Sequence, residues 1–304
     1  MILLMILNVL YASMFIFSKY ALSTGQPVFM TATRMMIGGV ISLAIYSYRS
    51  WSWDAIKKIS GFDWALIGLL TITNIYFCNA FEYWGLQYLT AGKTAFIYNL
   101  GPFFAALLAY FLFAEKMTLY KWIGLILGFV GFLPIFLEPA QSLDTTMTFG
   151  PLSLAEIALL IASFATVIGW TTMRLLMNKT HLSLFFLNGL SMVLGSFLCF
   201  AHAFLFESTP YIMPGQGIKF LEFACLLAMS QNIIAYNLHA FLLQKYTTTF
   251  ITFSCFISSV FAAILGVFFL GETISSYFFI SMIFVLIGLI IFYQEELRQG
   301  YIQK

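Results

Sequence analysis

The stretch Thr94–Gly131 reads as an apolar helix, a charged turn at Glu115–Lys116 and a second apolar helix, and it occurs twice. The second copy lies 157 residues downstream, over Phe253–Gly288. Between positions 96 and 131, eleven residues are identical at that offset, among them Phe96/Phe253, Ala105/Ala262, Glu115/Glu272, Tyr120/Tyr277 and Gly131/Gly288. Chance pairing in so biased a composition gives roughly three or four. An offset near half of 304 residues means that the chain is a duplication, so any fold must be built from two related halves.

The halves cannot face water. Of the residues 62% are hydrophobic and 9% charged, against about 25% charged in a soluble domain. Hydrocarbon offers the backbone no hydrogen-bond partners, which leaves helices or a closed barrel. The apolar runs are about twenty residues long, as a spanning helix requires, and they lack the alternation of barrel strands. Ten runs emerge, at 2–22, 28–48, 63–83, 90–113, 119–138, 152–174, 182–206, 219–242, 247–270 and 274–293. The first lacks the basic start and small-residue cleavage pattern of a signal peptide and reads as a span. The expected fold is therefore all-α and membrane-embedded, with repeats at 1–138 and 152–293 and a tail at 294–304.

Lysine and arginine set the orientation. With the N-terminus inside, ten of them (Arg49, Lys57, Lys58, Lys116, Lys121, Arg174, Lys179, Lys245, Arg298, Lys304) fall on the inner side. Four (Lys19, Arg34, Lys93, Lys219) fall outside. Both termini are thus expected in the cytoplasm. Five spans per half is an odd number, so the repeats are expected to be inverted relative to each other, an arrangement of transporters with a midplane site between the halves.

Polar groups within spans mark a cavity or bond helix to helix. The candidates are Asn8 and Tyr11 in the first span, Asn74, Tyr76 and Asn79 in the third, and Tyr98 and Asn99 in the fourth. Thr166 and Trp170 follow in the sixth, then Asn232, Tyr236 and His239 at helical spacing in the eighth. Amides beside aromatic faces suit a planar or zwitterionic metabolite. Pro102 removes a mid-span hydrogen bond and reads as a static kink or a hinge. Lys19, Arg34, Lys93, Glu82, Glu156 and Glu222 lie toward outer ends, where they snorkel, pair structurally or close a gate. Glu115 and Glu272 sit at turns and read as caps. Gly124 and Gly128 form a small-xxx-small step for close helix approach.

Other chemistries find little support. There is no H-E-x-x-H, no phosphate-binding glycine loop and no helical Asp pair for intramembrane proteolysis. Cys78, Cys199, Cys225 and Cys255 all lie in apolar runs without metal-ligand spacing. No cofactor is implied, and a net charge of +2 suggests no nucleic-acid partner. The expected partners are the lipid bilayer and a small-molecule substrate; a homodimer is left open. No carboxylate lies near the middle of a span, which favours uniport or exchange, while His202 and His239 keep proton coupling open.

With these features the sequence resembles the drug/metabolite transporter superfamily, in its ten-helix EamA-type branch. The resemblance rests on Phe15–Lys19, on the Thr33–Arg34 pair, and on acidic turns at Ala114–Lys116 and Gly271–Thr273 followed by glycine-bearing helices. It covers nearly the whole chain, but Tyr11–Ala12 stands where the family often has Trp-Gly. It implies alternating access without ATP, in a cytoplasmic membrane, for amino acids, nucleotide sugars or other small metabolites. Glu82–Pro102 is more weakly similar to S-adenosylmethionine/S-adenosylhomocysteine transporters of intracellular bacteria, which implies exchange of those compounds. Amino-acid or related metabolite export is the other reading.

Overall fold

A computed structural model describes residues 2–50, 59–113, 117–137, 148–149, 152–246 and 248–299. Nine helices among them are long and apolar enough to cross a membrane. In chain order the spans are Ile2–Leu22, Pro27–Ser50, Gly61–Leu86, a broken fourth, Leu119–Phe136, Leu154–Thr180, Leu184–Phe206, Gly217–Leu243, Thr248–Leu270 and Ser276–Gln299. Helix fits each run because every backbone group then bonds within its own segment. Hydroxyl caps start several of them: Ser60, Thr90, Thr118 and Ser153 each accept the N–H three residues on, satisfying a donor that the first turn leaves free. The only sheet among the described residues is the two-residue pairing of Thr148–Phe149 with Leu152–Ser153.

The fourth span departs from the expectation. It is two helices, Ala91–Tyr98 and Gly101–Phe113, separated at Asn99–Leu100. Pro102 therefore sits in the first turn of the second helix, where a missing N–H is tolerated. The carbonyl of Tyr98, which an unbroken helix would pair with residue 102, accepts Ser163 Oγ from the sixth span at 2.7 Å. Ser163 thus gives that carbonyl a partner where the helix, lacking an N–H at position 102, supplies none.

The third and eighth spans hold a second irregularity. Thr71–Phe77 and Ala228–Ala235 are π-helical. There the N–H of residue i reaches the carbonyl of i−5, as Cys78 does to Thr73 and Tyr236 to Gln231, and π-turns of this kind concentrate at functional sites.

The offset of the sequence repeat runs through the structure. Helices begin at Pro27 and Leu184, at Ala91 and Thr248, and at Leu119 and Ser276, and the π-turns begin at Thr71 and Ala228; each pair is 157 residues apart. Contacts obey the same exchange. A Cβ at Gly38 would stand 2.6 Å from Asn232 Cβ, and one at the equivalent Gly195 would stand 2.4 Å from a methyl carbon of Ile75, the equivalent of Asn232. The second span packs along the seventh and the fifth along the tenth, so these equivalent helices lie against each other. At the second of these contacts a Cβ at Gly124 would meet the Gly288 carbonyl at 2.7 Å, and only glycine permits that approach.

Links at one end tie the halves together. The Glu207 carboxylate, after the seventh span, accepts the N–H groups of Val28 and Phe29 at 2.6 and 2.9 Å. The Glu272 carboxylate accepts the Ala91 N–H at 2.9 Å. Each is an acidic group at a helix N-terminus, where the dipole favours negative charge. Burial pushes both carboxyls up from the ordinary range, opposed by these N–H bonds and, at Glu272, by Lys19. Glu115 and Lys116, expected at the equivalent turn, lie outside the described residues.

Candidate functional site

Between the halves lies a narrow cavity of about 50 Å³. The first and fourth spans form one side, the sixth, eighth and ninth the other. Of the candidate residues, Tyr11, Tyr98, Asn99, Trp170, Tyr236 and His239 line it, as do Pro102 and Thr166. None of its lining side chains is an Asp, Glu, Lys or Arg.

The aromatic wall is tightly ordered. Trp170 stacks on the His239 ring, with centroids 3.9 Å apart and planes 5° apart, and Tyr236 meets Trp170 edge-on at 5.3 Å. Tyr11 OH bonds His239 Nδ1 at 2.8 Å, across 228 residues of sequence. His239 Nε2 has no partner among the described residues. Opposite, Tyr98 OH pairs with Thr166 Oγ1 at 2.8 Å and with Cys78 Sγ at 3.0 Å. These bonds give the Tyr11 and Tyr98 hydroxyls partners within the protein.

The π-turn decides which eighth-span residues reach the cavity. Helical spacing puts Asn232, Tyr236 and His239 on one face. The i−5 bond from Tyr236 to Gln231 shifts the register, so Gln231 shares the cavity face with Tyr236. Asn232 turns behind it: its Oδ1 accepts Arg34 Nη1 at 3.0 Å and its amide donates to the Arg34 carbonyl at 3.1 Å. Gln231 is the eighth-span lining residue that helical periodicity passes over, and nothing in the sequence marks it.

Arg34 organises this second layer. Fully buried, it donates to Gln231 Oε1 and Asn232 Oδ1 through Nη1, and to Asn79 Oδ1 through Nη2 at 2.7 Å. Its guanidinium lies over the Tyr83 ring, 4.5 Å from the centroid. Asn79 in turn donates to Tyr236 OH at 3.1 Å. Asn79 and Tyr236 are 157 residues apart and thus occupy the same position in the two copies. Asn79 and Asn232 therefore support the cavity wall from behind it.

Two candidates sit apart. Tyr76 OH bonds His202 Nδ1 at 2.7 Å, beside an apolar groove that Phe81, Trp84 and Ile161 help to line. Asn8 is buried, and neither polar atom of its side chain has a partner among the described residues. Of the charged candidates, Lys93 and Glu156 form a buried ion pair at 2.8 Å between the fourth and sixth spans. Glu82 is buried with one carboxylate oxygen unpartnered among the described residues. Lys19 lies within electrostatic reach of Glu272. At the other end of the sixth span, Lys179 pairs with Asp63 at 2.6 Å. Among the described residues, no group of three His, Cys, Asp or Glu side chains is placed to hold a metal.

Comparison with known proteins agrees with this architecture. A crystal structure of a protein 13% identical to this chain superposes with a TM-score of 0.69, covering 97% of each chain, and so shares the fold. An S-adenosylmethionine/S-adenosylhomocysteine transporter of Chlamydia muridarum is 31% identical over 294 residues, 96% of this chain and 91% of its own. Its counterpart from Chlamydia trachomatis serovar L2 is 31% identical over the same share of this chain and 88% of its own. The model of the EamA-like transporter family matches twice, over residues 1–137 and 153–294. Duplicated halves, apolar spans and a cavity between them fit that match throughout, and the chain belongs to the EamA-like transporter family.

Proposed function

We propose that this transporter exchanges S-adenosylmethionine for S-adenosylhomocysteine by alternating access between inverted halves at 1–138 and 152–293. The observation that carries the reading is the uncharged aromatic cavity. Adenine stacks on ring faces, and a sulfonium is attracted to the same faces as other organic cations are. The product lacks one methyl and its charge. A wall of rings accepts both forms, whereas a carboxylate would hold the cation and release it slowly. The relatives that carry this activity in their names match along nearly the whole chain.

The measurement is uptake of labelled S-adenosylmethionine into proteoliposomes, with and without S-adenosylhomocysteine inside. Uptake should depend on the internal product. Tyr236→Ala should weaken binding roughly 5- to 150-fold, the worth of one stacked base at about 1–3 kcal/mol. Ile234→Ala should leave it unchanged, since Ile234 points out of the bundle at 51% exposure. Transport of amino acids alone would replace this reading with the amino-acid exporter.

The proposed setting is the cytoplasmic membrane with both termini inside, supported by the ten-to-four division of lysine and arginine. In a cysteine-free background, a cysteine at Thr209 should react with an impermeant reagent in whole cells and one at Gln244 should not. The opposite pattern would overturn this orientation.

A further inference from the structure

The cavity contains two side-chain amides whose orientations are forced by their neighbours, and forced in opposite senses. Gln231 Oε1 accepts from Arg34, which has donors only. The atom left to the cavity is Nε2, a donor. Asn99 is held the other way. Its Nδ2 lies 3.1 Å from Ser258 Oγ and 2.7 Å from Ser259 Oγ. Both hydroxyl protons are already committed, Ser258 to the Cys255 carbonyl at 2.6 Å and Ser259 to the Ala95 carbonyl at 3.2 Å. The serines can only accept from Asn99, so its Nδ2 faces them and Oδ1 is left to the cavity as an acceptor. Both residues line the space, and Gln231 and Asn99 are 3% and 7% exposed.

We propose that these two amides form a zwitterion subsite, in which Gln231 Nε2 takes an α-carboxylate and Asn99 Oδ1 takes an α-ammonium. It rests on the proposed exchange only in that S-adenosyl compounds end in an α-amino acid; the aromatic wall then takes the base. A free amino acid presents the same two charges. Two neutral amides match a group of zero net charge without placing an ion in the cavity, where an unpaired charge is costly.

Direct calorimetric titration of the purified transporter tests the subsite. The ligands are S-adenosylhomocysteine, its decarboxylated analogue, methionine and the corresponding decarboxylated thioether amine. In the wild type, loss of the carboxylate should weaken binding about 10- to 100-fold, as expected for a hydrogen bond to a charged group. Gln231→Met should weaken S-adenosylhomocysteine by the same factor and leave its decarboxylated analogue unchanged. Gln231→Glu keeps an oxygen for Arg34 and turns a carboxylate oxygen toward the ligand, so it should prefer the decarboxylated analogue. A protein that was merely destabilised could not reverse its preference in this way. Equal losses for both ligands, or a wild type indifferent to the carboxylate, would overturn the subsite. Methionine binding with this carboxylate dependence, and no binding of adenosyl compounds, would uphold the subsite and remove the S-adenosyl reading. A wild type that binds none of the four would overturn both.

Discussion

Glu156→Gln is expected to lower stability by about 3–5 kcal/mol, and Lys93→Met combined with Glu156→Gln to regain most of the loss. The pair is 2.8 Å long with both side chains 3% exposed, so removing one charge deprives the other of its opposite charge in a medium that solvates ions poorly. Replacing both removes attraction and desolvation cost together, which is why the double variant recovers. Glu156→Ala should fall further, by about 1 kcal/mol. Its second oxygen accepts the Ser153 N–H at 2.7 Å and the Ser153 hydroxyl at 2.9 Å, and the capping box at the start of the sixth span goes with it. Thermal unfolding in detergent measures all three. If the double variant is no more stable than Glu156→Gln, the ion pair is not what the single change breaks.

Arg34→Met should be comparably damaging for a different reason. One guanidinium satisfies oxygens from Asn79, Gln231 and Asn232, on two spans of different halves. Without it three buried acceptors lose a donor, at about 1–3 kcal/mol each if none finds another; partial rearrangement should bring the net loss to about 3–5 kcal/mol. Arg34→Lys keeps the charge, but a compact ammonium lacks the planar fork that reaches all three. It should recover less than half of the stability. In both variants the Gln231 amide is free to turn over, so ligand affinity should fall even where the protein remains folded. A fully stable Arg34→Lys with unchanged affinity would show that charge alone is what position 34 supplies.

Much of this architecture is legible in the sequence, and the illegible part has specific causes. The ten runs and the duplication follow from apolar length and self-similarity, which require no contacts. Tyr11, Tyr98, Asn99, Trp170, Tyr236 and His239 stand out because a polar or amphipathic group is rare within such runs, and the cavity collects all six. The error at the eighth span is one of register. Periodicity assumes 100° per residue, and nothing in AMSQNIIA signals bonds to i−5 in place of i−4; Asn232 and Gln231 exchange places as a result. The fourth span shows the complementary failure. Pro102 marks an interruption, but not that Ser163, 61 residues away, meets the Tyr98 carbonyl there. Arg34 likewise looks like an end-of-span charge until the three amides gathered around it are seen.

The paired π-turns also record a history. A π-turn is an α-helix carrying one residue too many, and here the surplus begins at equivalent positions in both copies, Thr71 and Ala228. A single insertion in an ancestral half-length gene, copied when that gene doubled, accounts for both. Since then the chain has kept its count: the distance from Pro27 to Leu119 equals that from Leu184 to Ser276, connecting loops included. Divergence between the copies over that stretch has changed side chains, and at the fourth span it has broken a helix that stays continuous in the ninth, without changing the number of residues. Asn79 and Tyr236 are its plainest relic, one ancestral position become two unlike residues, each now hydrogen-bonded to its former twin.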